Sequence, residues 1–266
     1  MATTSRINEF KDAAGLGRAL AAAIADDIEA RLPASGRYLL GCPGGRTPTT
    51  TYAALADELA DRKLDLSGLV IVMMDDYVEW DGQQWAHIDA EAHNSCRRFA
   101  RDEIQAVLNR GVEPGRGISD DHVWFPDPAR PDEYDSRLHE AGGIDFFILA
   151  SGEGDGHVAF NPPGSPASSG TRIVELAEQT RRDNLHTFPQ FGGVEDVPTH
   201  GVTVGIATIS GLSRAAGMIL IGAHKREAFM RLTAGTTYDP AWPATVYHLV
   251  DNAALWVDIS AGGQRP

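Results

Sequence analysis

The chain contains few cysteines and no long apolar run. Its 266 residues include two cysteines, Cys42 and Cys96, and neither lies in a metal-binding motif. So few cysteines argue against a disulfide framework, and they favour a reducing, cytoplasmic environment. No apolar stretch approaches the roughly 20 residues that a membrane helix needs, and neither end resembles a signal peptide. We therefore expect no membrane partner.

Positive charge is also scarce. Lysine and arginine total 23 against 37 acidic residues, which gives a formal net charge of −14. Without a basic stripe or a helix-turn-helix segment, nucleic-acid binding is not expected. The acid excess repels anions at long range, so an anionic substrate would need local cationic groups. Length and composition are those of one globular domain spanning residues 1–266.

Four short apolar runs have the composition of buried strands, and each is followed by a segment of glycine or polar residues. They occupy residues 37–42, 69–74, 144–150 and 216–222. Open α/β sheets place their active sites at the carboxyl ends of such strands. The polar segments that follow the four runs are therefore the candidate functional segments.

The segment after the third run contains Asp155 and His157 among glycines. Glycine lets the backbone turn sharply and lets a ligand approach closely. Histidine titrates near neutrality, so it can transfer a proton at physiological pH. The alternative is a glycine-rich turn with a capping aspartate and a solvated histidine.

The other three segments are compatible with an anion site and an acid–base site. Residues 43–48 form a glycine-rich turn before helical spacing at 49–62, an arrangement that suits a phosphate or an ordinary strand-to-helix turn. It lacks the Walker and the three-glycine dinucleotide patterns. Asp75 and Asp76 are either a solvated or capping pair or an acid and base. Lys225 begins a helix, where it either faces an anion or is solvated.

Taken in order, these segments resemble the motifs of glucosamine-6-phosphate deaminases and, more distantly, of 6-phosphogluconolactonases. The similar segments are GCPGGRTPTTTY at 41–52, MDDYV at 74–78, DGHVAFN at 155–161, TRI at 171–173 and GAHK at 222–225. The likeness runs from about residue 37 to about residue 258. It implies a doubly wound α/β fold, with a mostly parallel sheet and helices on both faces, and a phosphorylated sugar as substrate.

The resemblance also implies roles for individual residues. Asp75 would be the base that moves a proton between C2 and C1, and His157 would open the sugar ring with the help of Asp155. Asp76 would lie beside the substrate. The phosphate ligands would be Gly44, Gly45, Thr47, Arg172 and Lys225. This chemistry requires no metal and no cofactor, and the resemblance leaves open whether the protein is a monomer or a homo-oligomer.

Two positions depart from the family pattern. The deaminases have a glutamate that orients the ring-opening histidine where this chain has Pro162. Proline has no ionisable side chain, so we hypothesise that Glu153, in the same glycine-rich turn, replaces it. Arg46 stands where the family has glycine or serine. It is predicted to add a bidentate donor for the anion, the alternative being a solvated arginine.

These departures keep three alternatives open beside an amino-sugar phosphate deaminase. A lactonase would use His157 to activate water and would need no acid at position 162. An isomerase of a sugar without an amino group would use the same Asp75 chemistry. A non-catalytic protein would bind the sugar phosphate without turnover. The segments 158–161 and 201–205 resemble the deaminase branch, which makes the deaminase the preferred function.

Overall fold

A computed structural model describes residues 6–262, which form a large parallel sheet and a small antiparallel sheet surrounded by helices. The strands in this range are β1 (Arg6–Phe10), β2 (Tyr38–Cys42), β3 (Leu69–Met73), β4 (Asp75–Trp80), β5 (Trp85–His87), β6 (Val123–Trp124), β7 (Phe146–Ala150), β8 (Arg172–Glu175), β9 (His200–Thr203), β10 (Ala215–Leu220) and β11 (Asn252–Asp258).

The α-helices in the same range are α1 (Ala13–Ser35), α2 (Thr49–Asp61), α3 (Cys96–Phe99), α4 (Ala106–Leu108), α5 (Glu133–Glu140), α6 (Glu178–Thr187), α7 (Ile206–Leu212), α8 (Arg226–Thr233) and α9 (Ile259–Gly262). A π-helical segment, Ala100–Gln105, joins α3 to α4. Short 3₁₀ turns lie at Asp120–His122, Val194–Asp196, Ala223–Lys225 and Pro243–Leu249.

The large sheet has the strand order β1-β11-β10-β7-β2-β3-β6, and every neighbouring pair is parallel. From β2 the chain winds outward through β3 to β6, whereas from β7 it winds the other way through β10 to β11. The direction of winding therefore reverses between β2 and β7. In open α/β sheets, a crevice forms at the carboxyl ends of the strands at this reversal.

Both faces of this sheet are covered. All residues of β2, β3 and β10 are buried. Successive side chains of a strand point to opposite faces, so Leu39 packs in one apolar cluster with α5, α7 and α8, and Leu40 in another with α1 and α2. The doubly wound α/β fold implied by the resemblance is confirmed. No helix within residues 6–262 is both long and apolar enough to cross a membrane.

The small sheet has the order β5-β4-β9-β8 and is antiparallel throughout. Its first residue in chain order is Asp75, two positions after the end of β3, so the chain passes from one sheet to the other at this point. Tyr77 and Phe160 pack together beneath it, with their ring centroids 5.0 Å apart. The small sheet thus forms a wall beside the carboxyl ends of the large sheet.

Candidate active site

A cavity of about 350 Å³ opens at the reversal point, where the carboxyl ends of four parallel strands meet. Each strand contributes a segment to its wall: Gly44 after β2, Asp75 after β3, His157 after β7 and Lys225 after β10. The four polar segments singled out in the sequence therefore lie together. The predicted site residues that line the cavity are Gly44, Gly45, Arg46, Thr47, Asp75, Glu153, His157 and Lys225.

Asp75 is a buried carboxylate that faces this cavity, with 7% of its surface exposed. Burial, together with the nearby charge of Asp76, raises the pKa of Asp75 to about 7, although a hydrogen bond from Cys96 and the charge of His157 oppose the shift. The Cys96 thiol donates to Asp75 Oδ1 at 3.7 Å. A carboxylate with a pKa near 7 is a stronger base than an ordinary one and is still ionised in part at neutral pH.

Asp76 does not line the cavity, although the resemblance implies a position beside the substrate. It is completely buried and is absent from the cavity wall. Its carboxylate accepts hydrogen bonds from the backbone amides of Tyr77 and Cys96, and its Oδ2 lies 2.8 Å from His87 Nδ1. Arg97 Nε lies 3.4 Å from the same oxygen. Neighbouring side chains of a strand point to opposite faces, so only Asp75 can face the cavity.

His157 and Asp155 form a close pair. The Nδ1 atom of His157 lies 2.7 Å from Asp155 Oδ1, which leaves Nε2 as the nitrogen available to a ligand. Burial raises the pKa of Asp155, but the hydrogen bond and charge of His157 outweigh it, so the pKa falls to about 2. The Thr180 hydroxyl lies 3.2 Å from Asp155 Oδ2 and 3.1 Å from His157 Nδ1. Asp155 is thus an ionised acceptor that fixes the imidazole.

The glycine at position 152 makes room for this pair. A Cβ atom there would lie 2.2 Å from His157 Nδ1 and 2.5 Å from Asp155 Oδ1. The Gly152 amide also donates to the backbone oxygen of His157 at 2.7 Å and closes the loop. Gly156 has a φ of +65°, and a Cβ there would meet the Trp242 ring. The glycines are therefore required for the conformation of the loop.

Glu153 does not contact His157 as hypothesised. It lines the cavity, but its Oε1 lies 3.5 Å from His224 Nε2, on the side of the Ala223–Lys225 turn. Its negative charge opposes the lowering of the Lys225 pKa that burial causes. Because Glu153 faces the loop after β10, it is not positioned to orient the His157 ring.

Another part of the cavity wall is suited to an anion. The turn containing Gly44 and Thr47 leads into α2, whose first amides have no side-chain cap. Gly45 has a φ of +84°, which favours glycine. Lys225 is buried, and its Nζ donates to the Ser151 carbonyl at 2.7 Å. Arg46 is exposed at the mouth, without an ion-pair partner among residues 6–262. Helix amides and two cations can together bind a phosphate.

Arg172, the remaining predicted phosphate ligand, lies outside the cavity wall. Its guanidinium donates to Asn161 Oδ1 at 2.9 Å and to Ser165 Oγ at 3.1 Å. Asn161 in turn donates to the Val204 carbonyl at 2.7 Å. Arg172 is directed to these polar groups because it begins β8, at the outer edge of the small sheet. In this arrangement it stabilises the segment that follows His157.

Helix α6 supplies cavity residues that the sequence did not reveal. Asp183, Asn184 and Thr187 line the cavity, and Thr180 contacts the Asp155–His157 pair. These positions follow the spacing of one helix face. A polar stripe of this kind resembles an ordinary solvated face, so the sequence alone offered no signal. One side-chain ligand atom from each of Asp155, His157 and Asp183 lies within 4.8 Å of the others, close enough to share a cation.

Comparison with known proteins gives consistent results. Residues 11–256 match the family model described as glucosamine-6-phosphate isomerases/6-phosphogluconolactonase. The glucosamine-6-phosphate deaminase of Bifidobacterium longum (strain NCC 2705) is 34% identical over 256 residues, which cover 96% of this chain and 90% of the relative. The glucosamine-6-phosphate deaminase of Bacillus pumilus is 29% identical over 265 residues, covering 97% and 99%.

Two solved structures illustrate the structural likeness. A monomeric glucosamine-6-phosphate deaminase superimposes with a TM-score of 0.82 at 25% identity and covers 98% of this chain and 100% of its own. The 6-phosphogluconolactonase of Trypanosoma brucei superimposes with a TM-score of 0.68 at 21% identity, covering 97% and 98%. The second likeness concerns the fold alone.

Proposed function

This chain belongs to the glucosamine-6-phosphate isomerases/6-phosphogluconolactonase family, and we propose that it converts an amino-sugar phosphate, glucosamine 6-phosphate first of all, to the ketose phosphate and ammonia. The observation that carries this proposal is Asp75. It is a buried carboxylate with a pKa of about 7, and it faces the same cavity as the Asp155–His157 pair. Isomerisation needs one such base near two adjacent carbons.

In the proposed reaction Asp75 transfers a proton between carbons. It removes the proton from C2 of the opened aldehyde while protonated His157 gives a proton to the oxygen on C1, which yields an enolamine, and it then returns a proton to C1. The product is an imine at C2, which water hydrolyses to the ketone with release of ammonia. Because Asp75 is buried, its ionised form is poorly solvated, so proton uptake from carbon is favoured relative to an exposed carboxylate.

His157 is proposed to open the ring before this step. Its Nε2 gives a proton to the ring oxygen and takes up the proton that the hydroxyl on C1 loses, so the C1–O5 bond breaks, an aldehyde forms and His157 is protonated again. Asp155 keeps the ring oriented through Nδ1. A positioned histidine with an ionised partner is suited to accepting and donating a proton in turn.

The phosphate is proposed to bind between the start of α2, Lys225 and Arg46. Anchoring the sugar there fixes its reacting carbons against Asp75 and His157, so binding energy at a remote group contributes to catalysis. The buried Lys225 is held by the Ser151 carbonyl, so little ordering remains when the anion arrives.

The structure gives less support to lactone hydrolysis. His157 and Asp155 could activate a water, but that reaction transfers no proton from carbon. It would leave the buried Asp75 in the cavity wall without a role, at a considerable desolvation cost. The solved lactonase structures therefore support the fold, and Asp75 favours the isomerising deaminase.

We further infer that the protein acts in the cytoplasm on a free sugar phosphate, with neither a nucleic acid nor a membrane as partner. Cys42 and Cys96 are both free and buried, as expected of a protein in a reducing compartment.

Proton NMR of the purified protein with glucosamine 6-phosphate in D2O tests the proposal. Formation of fructose 6-phosphate with deuterium at C1, together with ammonium, is the expected result. The matched variant Asp75→Asn should bind the sugar but produce neither. Hydrolysis of 6-phosphogluconolactone, without exchange or ammonium from the amino sugar, would instead favour the lactonase and overturn the proposal.

A further inference from the structure

We propose that Asp183 of α6 acts as a further carboxylate beside His157 and stabilises its protonated ring. It would thereby replace the acid that the loop after His157 lacks, since that loop has a proline at position 162. This inference rests on the proposed function, because it concerns the ring-opening histidine. Asp183 is a positioning residue in this account, since it acts through His157 rather than on the substrate bonds.

The position of Asp183 is set by its neighbour one helical turn before it. Thr180 is buried and bridges Asp155 and His157 through its hydroxyl, which holds α6 against the loop. Residues three apart on a helix share a face, so Asp183 is directed toward the same pair. The result is a carboxylate oxygen of Asp183 within 4.8 Å of the ligand atoms of both Asp155 and His157.

The carboxylate of Asp183 is only half satisfied. Its Oδ1 accepts a hydrogen bond from Gln179 Nε2 at 2.8 Å. Its Oδ2 is buried and has no hydrogen-bond partner within residues 6–262. A buried carboxylate oxygen without a partner is destabilising unless positive charge develops nearby. The imidazolium that forms when His157 takes up a proton would place positive charge close to this carboxylate, and Lys225 is a second cation within range of its charge.

The other nearby acids are engaged elsewhere. Glu153 faces His224, and Asp76 is surrounded by His87 and Arg97. Position 162 is a proline, whose ring carries no charge. Asp155, and Asp75 across the cavity, are then the acids that interact with the charge of the imidazolium. Asp183 adds a further negative charge from a different element, α6.

The test compares Asp183→Asn with three other proteins. Asp183→Glu keeps the charge, and Glu178→Gln removes an exposed acid from the same helix that faces away, toward Arg182. Wild type is the reference, with glucosamine 6-phosphate as substrate. Groups that orient a metal-bound histidine typically contribute about tenfold to a hundredfold. We expect kcat of Asp183→Asn to fall by a similar factor, because Asp183 would support His157 in a comparable way. KM should change much less than kcat, because Asp183 is proposed to act through His157 rather than on the substrate.

The pH profile separates this role from a structural one. In Asp183→Asn, the basic limb of the kcat/KM pH profile should move to lower pH, because the imidazolium loses one of the negative charges that stabilise it. Asp183→Glu should recover most of kcat and return the basic limb of the pH profile to its wild-type position, whereas Glu178→Gln should behave as wild type. EDTA should leave all four proteins unchanged.

Three outcomes would overturn the inference. If Asp183→Asn has a normal kcat and an unshifted basic limb of its pH profile, Asp183 has no part in ring opening by His157. A large rise in KM with an unshifted limb would assign it to substrate binding. Loss of wild-type activity in EDTA would make Asp155, His157 and Asp183 a metal site. If wild type turns over glucosamine 6-phosphate, the proposed function stands even when the role of Asp183 fails. If wild type does not turn it over, the proposed function itself is contradicted.

Discussion

Replacing Asp75 with asparagine should stabilise the protein at alkaline pH while it abolishes turnover. The pKa of Asp75 is about 7 in the folded protein, against 3.8 for an ordinary aspartate, and burial is the main cause. Between these two values the folded state holds a proton that the unfolded state has lost. Stability therefore falls as pH rises through this interval, and it is constant above the folded pKa.

The size of the effect follows from the shift. Each pH unit in the interval costs about 1.4 kcal/mol, so wild type should lose about 2 kcal/mol between about pH 5.5 and about pH 7 from this group alone. Asp75 is almost fully buried, so solvent screening reduces this figure little. Asparagine does not titrate, and the variant should avoid the loss. For a chain of this size, 2 kcal/mol corresponds to about 4–8 °C in Tm.

The assay is thermal unfolding of wild type and Asp75→Asn at about pH 5.5 and about pH 8, where the group is nearly protonated and nearly ionised respectively. The gain in Tm on substitution should be larger at the higher pH by the amount given above. Asp57→Asn, which replaces an exposed acid of α2, is the matched control and should shift Tm equally at both pH values. If Asp75→Asn also shifted Tm equally at both values, Asp75 would not be a desolvated base and the reasoning would fail.

Three further predictions concern the surroundings of the site. Cys96→Ala removes the hydrogen bond that lowers the pKa of Asp75, so the acid limb of kcat/KM should move to higher pH, whereas Cys96→Ser should keep it near its wild-type position. Arg46→Ala should raise KM about tenfold with little change in kcat, because the exposed guanidinium is proposed to bind the phosphate. An unchanged KM in steady-state kinetics would show that Arg46 is a solvated side chain without a role in binding. Arg172→Met should lower Tm and kcat by loosening Asn161, and direct titration should find phosphate affinity unchanged; a specific loss of that affinity would restore Arg172 to the phosphate site.

The strands and their ends were predictable because local patterns determine them. Buried parallel strands read as short apolar runs, and the glycines and acids that follow such runs mark the edge where active sites form. The helix expected at residues 49–62 is α2, Thr49–Asp61. The family and the doubly wound fold were likewise predictable, since several modest motifs occurred in the right order, and both are confirmed.

At the site, the structure differs from the sequence-based expectations where a tertiary contact decides what a side chain faces. Adjacent acids cannot both face the cavity from one strand, and that became evident only when β4 was seen to begin at Asp75. Glu153 and Arg172 lie near the right segments, but His224 and Asn161 are their partners in space. Asp183 could not be predicted because it lies on a helix that is distant from His157 in sequence, and only folding brings that helix over the His157 loop. The assignment of roles to these residues stays a prediction.

The central claim is that Asp75 moves a proton from C2 to C1 of an amino-sugar phosphate. The measurement that tests it most directly follows the label from glucosamine 6-phosphate deuterated at C2, with wild type in ordinary water. We predict that deuterium leaves C2, that part of it appears at C1 of the ketose phosphate, and that Asp75→Asn shows neither event. Deuterium that remains fully at C2 while wild type is saturated with the sugar phosphate would contradict the account.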